Sequence, residues 1–146
     1  MREILFRGIC TETGEWVKGY YVCLNGKEHR IYSGYAETDC GDYYPDFEQV
    51  APETVGMFTG ETDKNDKNIF EGDIISYTMP DGGSAKGIIK CSEYGTGGTC
   101  HVGFGVNWYN RHDTGWLRND IGFWTRFREI EVIGNIHDNP ELLEKK

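Results

Sequence analysis

Hydrophobic and polar positions alternate with a period of two along much of this chain, and the clearest case lies between residues 101 and 108. Val102, Phe104, Val106 and Trp108 fall on one side there, while His101, Gly103, Gly105 and Asn107 fall on the other. That pattern predicts a strand. Residues 2–9 have strand length and branched or aromatic content, and Thr11-Glu12-Thr13-Gly14 supplies a turn. Residues 16–24 then place Trp16, Tyr20, Val22 and Leu24 on one side of a pleat, so an opening hairpin is expected. Asn25-Gly26 predicts the next turn, which returns the chain through residues 29–33 as a third strand.

The pattern changes over residues 35–48. Glu37, Asp39, Asp42, Asp46 and Glu48 are mixed with Tyr35, Tyr43, Tyr44 and Phe47, which reads as an acidic surface loop pinned by its rings. Pro52 excludes a helix interior from the next stretch, and the polar run 63–68 is a turn. Residues 69–77 open a second β run, with Gly72 placed for a bulge or tight bend. Further on come a turn at Gly82-Gly83, a short strand at 87–91, a flexible loop at 95–98 and a last strand at 129–136. Asn139 and Pro140 then stand as N-cap and first position of a short helix over 139–144. The expected fold is mostly β, with two small SH3-like or barrel-like halves and a short C-terminal helix. It forms one domain over 1–146, with sub-halves 1–60 and 61–146.

Length and composition fit this picture. A chain of 146 residues buries roughly 70% of the surface that its unfolded form exposes, so it needs no disulfide or metal to fold. Aromatics at 14% and 20 glycines suit short strands joined by turns. The net charge of −9 repels phosphate backbones and anionic lipids, which argues against nucleic acid as a partner. No apolar run approaches the roughly 18 residues of a membrane span. The five cysteines are odd in number and form no CxxC pair, and Met1 leads straight into a charged run with no apolar leader. Reduced thiols in a bacterial host cytoplasm are the expectation.

Several blocks together carry a resemblance. They are Arg2-Glu3-Ile4 with Phe6-Arg7, Pro52-Glu53-Thr54-Val55-Gly56, Phe58-Thr59-Gly60 followed by Asp63-Lys64-Asn65, and Phe70-Glu71-Gly72-Asp73-Ile74. Glu131-Val132-Ile133-Gly134-Asn135-Ile136 with Asn139-Pro140-Glu141-Leu142 closes the series. In this order the chain resembles the YopX family from its first residues nearly to its last. The resemblance implies a protein encoded by a bacteriophage or an integrated prophage, with a mostly β fold and no known reaction. One position departs from the family's pattern. Where the family tends to read Asn-Gly in the central turn, this chain has Asn65-Asp66, which leaves the turn type open.

Candidate chemistry is sparse. Asp63, Asn65 and Glu71 invite a calcium-loop reading, but its fifth, sixth and twelfth positions would be Lys67, Asn68 and Ile74, so a plain turn is expected. Cys91, Cys100, His101, His112 and His137 match no zinc-ligand spacing, and no Cys-His nucleophile can be read from their order. No phosphate-binding glycine motif occurs, so no catalytic residue, cofactor or metal is assigned.

The one stretch that stands out is 108–128, where Trp108, Tyr109, Trp116, Phe123, Trp124 and Phe127 are interleaved with Arg111, Arg118, Arg126 and Arg128. Rings and guanidinium groups together stack on bases, clamp carboxylates or anchor a protein contact. Three readings compete: rings as core with arginines outside, pairing with the acidic segment 35–48 within one molecule or across a homo-oligomer, and contact with a partner. The candidate contact surface is Trp108, Tyr109, Arg111, Trp116, Arg118, Trp124 and Arg126. The expectation is therefore a non-enzymatic accessory protein that binds a host or phage protein. Its alternatives are a small barrel for single-stranded nucleic acid and a small hydrolase with an unfamiliar site.

Overall fold

The computed structural model describes residues 4–80, 82–96, 99–109, 121–126 and 128–143; for 92–96, 99–102 and 123 the description covers the backbone alone. It is mostly β, and the chain divides into two compact units, Met1–Phe58 and Thr59–Lys146.

In the first unit β1 (Phe6–Ile9), β2 (Trp16–Leu24), β3 (Glu28–Glu37) and β4 (Tyr43–Gln49) form an antiparallel meander, and the start of β5 (Gly56–Thr62) pairs with the other side of β1. The predicted turn at Asn25-Gly26 is present, and it sets the β2–β3 register of Leu24 opposite Glu28 and Tyr20 opposite Tyr32. The segment expected as an acidic loop is instead the β3–β4 hairpin, paired from Arg30↔Gln49 to Glu37↔Tyr43 with a register shift between Tyr32 and Gly34. Strand pairing satisfies the backbone groups that β3 and β4 turn towards each other, while charged and ring side chains stay wet. β4 is the outermost strand and carries Pro45. The buried apolar side chains of this unit are few among the described residues: Cys10, Ile31, Val50 and Phe58.

The second unit contains the end of β5, β6 (Asn68–Phe70), β7 (Asp73–Thr78), β8 (Ser84–Thr96), β9 (Thr99–Tyr109), α1 (Ile121–Arg126) and β10 (Ile130–Asn135). Its main sheet runs β10-β7-β8-β9, all antiparallel. The alternation read at 101–108 is the core face of β9. Phe104, Val106 and Trp108 pack with Ile69, Ile75, Ile89, Ile130 and Val132, and with Ile121 and Trp124 from α1. Residues 87–96, expected as a short strand and the start of a flexible loop, belong instead to one long β8, paired with β9 out to Thr96↔Thr99, and the rest of that expected loop, 97–98, lies outside the described residues.

The barrel-like expectation needs correcting in form. Among the described residues both sheets are open, and neither closes into a barrel. Four strands are too few to wrap a filled interior, so the second unit covers one face with α1 side chains. The C-terminal helix is a 3-10 turn at Pro140–Leu143. The Asn139 side chain turns back to accept from the Asn135 N–H (3.3 Å).

Candidate functional site

The predicted contact surface splits when it is placed on the fold. Trp124 is buried at 2% exposure; its ring lies 4.7 Å from Tyr77 and 5.2 Å from Trp108, so both tryptophans belong to the core cluster. Tyr109 and Arg126 are exposed. Arg111, Trp116 and Arg118 lie outside the described residues, as do His112 and the side chains of Cys100 and His101. Arg128, at a positive φ of 54°, donates to the Lys64 carbonyl (2.8 Å) and to Asp66 (3.1 Å). That places a guanidinium on the 63–67 turn.

That turn is structural. Asp63 is buried, and its Oδ1 accepts from the N–H groups of Asn65 (2.8 Å) and Lys67 (2.9 Å), while Oδ2 accepts from Val132 N–H (2.9 Å). Burial acts to raise its pKa, but the backbone donors of Val132, Lys67 and Asn65 outweigh burial and hold it below the ordinary carboxylate value. The first two bonds close the turn and the third bridges it to β10, which is work for a clamp. The open question of the turn type resolves too, because Asp66 takes φ 63°, the left-handed conformation that glycine would adopt most easily.

The other blocks behave alike. Thr54 Oγ1 accepts from Ile9 N–H (2.9 Å) and Thr59 donates to the Ile69 carbonyl (2.8 Å). Gly72 turns the chain at φ 91°, and Asp73 accepts from Phe70 N–H (2.8 Å). Gly134 lets Asn139 approach, since a Cβ there would stand 2.5 Å from Asn139 Oδ1. These residues hold turns and strand ends together.

A different surface emerges in the first unit. Strand parity and register put Tyr20 of β2, Tyr32 of β3 and Phe47 of β4 in one cross-strand row on the same face of the sheet. Tyr20 is 67% exposed, and the Tyr32 and Phe47 rings lie 5.3 Å apart. Val22 and Arg30 form the next row, and Tyr35 (76% exposed) and Tyr43 (71%) extend the face towards the end of the hairpin.

Arginines stack on two of its rings. The Arg7 guanidinium sits 4.7 Å from the Trp16 ring centre, and that of Arg30 sits 4.1 Å from Phe47. Arg30 also donates to the Tyr32 hydroxyl (3.2 Å) and pairs with Glu28. The hydrogen bond to Tyr32 raises its pKa most, with Glu28 adding and burial opposing. Its Nε is buried with no hydrogen-bond partner among the described residues, as expected for a guanidinium plane laid on a ring. The opposite face packs Ile31 and brings Tyr21 against His29, with 2.6 Å between Oη and Nδ1.

Sequence reasoning put Trp16, Tyr20 and Val22 on one side but did not recognise that side as the open one. The register joining them to Tyr32 and Phe47 was the missing signal. Among the described residues no group of three His, Cys, Asp or Glu side chains gathers as a metal site. Cys10, Cys23, Cys40 and Cys91 are free thiols. No helix is long and apolar enough to cross a membrane among those residues.

Fold and surface together define an open-sheet antiparallel β protein with one outward aromatic face. Comparison with protein families matches the model of the YopX protein over residues 5–144, nearly the whole chain, and the chain belongs to the YopX family. Among solved structures it is similar to protein EF1440 from Enterococcus faecalis. The identity is 23%, the TM-score is 0.55, and the match covers 99% of this chain and 100% of that one, a likeness of fold. A search of curated proteins gives no match.

Proposed function

We propose that this protein is a non-enzymatic interaction module, a phage or prophage accessory protein that binds another protein in the host cytoplasm through the aromatic face of its first unit. The observation that carries this reading is the row Tyr20–Tyr32–Phe47, in which half-buried Tyr32 lies between exposed Tyr20 and Phe47, with exposed Tyr35 and Tyr43 beside it, while the sheet's core is built from other residues. Contiguous exposed rings on a soluble domain mark contact surfaces, and tyrosine and arginine are the residues that most often anchor them. The phage or prophage origin is what the resemblance to the YopX family implies, and the free thiols among the described residues suit a reducing compartment.

The residues of the family blocks support contact over catalysis in their own way. Asp63 and Asp73 point their carboxylates at backbone donors inside the fold, where no substrate reaches them. Capture from bacterial lysate on the immobilised full chain, with mass spectrometry of what is retained, tests the reading. A partner enriched by the wild type and lost with the Tyr20→Ala/Phe47→Ala variant is the expected result. Repeated runs that enrich nothing would sink it.

A further inference from the structure

We infer that the partner presents a lysine- and arginine-rich segment, whose cations dock on Tyr35 and Tyr43 at the end of the β3–β4 hairpin. This rests on the reading of the aromatic face as a binding surface and names the chemistry that it selects. Charge comes first: no lysine or arginine stands between Arg30 and Lys64, while Glu37, Asp39, Asp42 and Asp46 all lie on the hairpin and are exposed. Acidic side chains alone would be a solvated surface. Here Glu37, Asp39 and Asp42 lie at the same end of the hairpin as rings that are more than two-thirds exposed, and Glu37 stands directly opposite Tyr43 in the register.

The same face shows what such rings accept. Trp16 and Phe47 each carry a guanidinium from the chain itself, whereas among the described residues Tyr35 and Tyr43 carry none. With no cation of its own within this stretch of sequence, the hairpin supplies negative charge and open ring faces, and the complement to both is a cationic side chain. A nucleic-acid strand would meet Glu37 and the carboxylates of the hairpin end at close range, which opposes its approach.

The test is fluorescence anisotropy with the purified full chain and three labelled probes: an arginine-rich peptide, an acidic peptide of equal length and a single-stranded oligonucleotide. The basic peptide is expected to bind and to weaken as salt rises. Its affinity should fall about tenfold or more in Tyr35→Ala/Tyr43→Ala and in Glu37→Gln/Asp39→Asn/Asp42→Asn. Unchanged circular dichroism and melting of both variants shows that the fold is intact. No binding of the basic peptide at tens of micromolar, binding indifferent to both variants, or preference for the oligonucleotide overturns the inference. Lysate capture separates the two levels. A partner held equally by wild type and hairpin variants removes this inference and leaves the binding module standing, whereas no partner at all removes the module.

Discussion

Among the described residues, most of the large apolar side chains of 59–146 turn inward, and in residues 1–58 many of them turn out. The second unit gathers Ile69, Ile75, Ile89, Val106, Trp124 and Ile130 into one cluster, each at most 2% exposed. Of the large hydrophobic residues that are exposed, Ile4, Tyr20, Val22, Tyr35, Tyr43, Tyr44 and Phe47 belong to the first unit, and among the described residues only Tyr109 belongs to the second. Both units are antiparallel sheets. The difference shows that strand formation and burial are separate decisions: pairing fixes the backbone, and what covers a face decides whether its rings become core or contact surface.

The sharpest way to break this contrast is to empty the second unit's core. Trp124→Ala removes the ring that bridges Tyr77 and Trp108, and is expected to cost about 3–5 kcal/mol in chemical denaturation. Asp63→Ala should come next, at about 3 kcal/mol, because it leaves the N–H groups of Asn65, Lys67 and Val132 without their charged acceptor. The same carboxylate makes a pH prediction. Its folded pKa lies below the ordinary value, so its contribution is complete above about pH 4 and is lost as pH falls through the folded value. Urea midpoints from pH 7 to pH 2.5 should therefore decline less steeply in Asp63→Asn than in the wild type. An equal decline would show that the clamp is not the acid-sensitive element.

Smaller effects sharpen the other side. Asp66→Gly places the easier residue at φ 63° and should raise the melting midpoint slightly, by about 0.5 kcal/mol or less in stability. Tyr35→Ala/Tyr43→Ala should change stability least, within about 0.5 kcal/mol per site by thermal melt, since rings this exposed contribute little to folding. A loss as large as that of Trp124→Ala would mean that the first unit needs its outward rings to fold.

Much of the β architecture was legible because alternation and turn chemistry leave marks in the sequence. β2, β9 and β10 are found where the period of two places them, and Gly72 bends the chain as its position suggests. The third strand read over 29–33 is the first half of β3, but its continuation to Glu37 and its pairing with β4 were not legible. A strand with water at both faces has no buried side to imprint an alternation, so Glu37, Tyr43 and Asp46 read as loop residues. α1 was missed because six residues make fewer than two turns, too short for a helical period to show. The exposed face was half legible. Parity groups Trp16, Tyr20 and Val22, but only the register across three strands adds Tyr32 and Phe47 and turns a side of one strand into a surface.

Pro45 has a consequence for how such a surface survives in a crowded cell. The outermost strand has no amide hydrogen at that position, so a second copy cannot zip onto it along its full length. The exposed rings beside that edge are in this way kept from drawing copies of the chain into fibres along it.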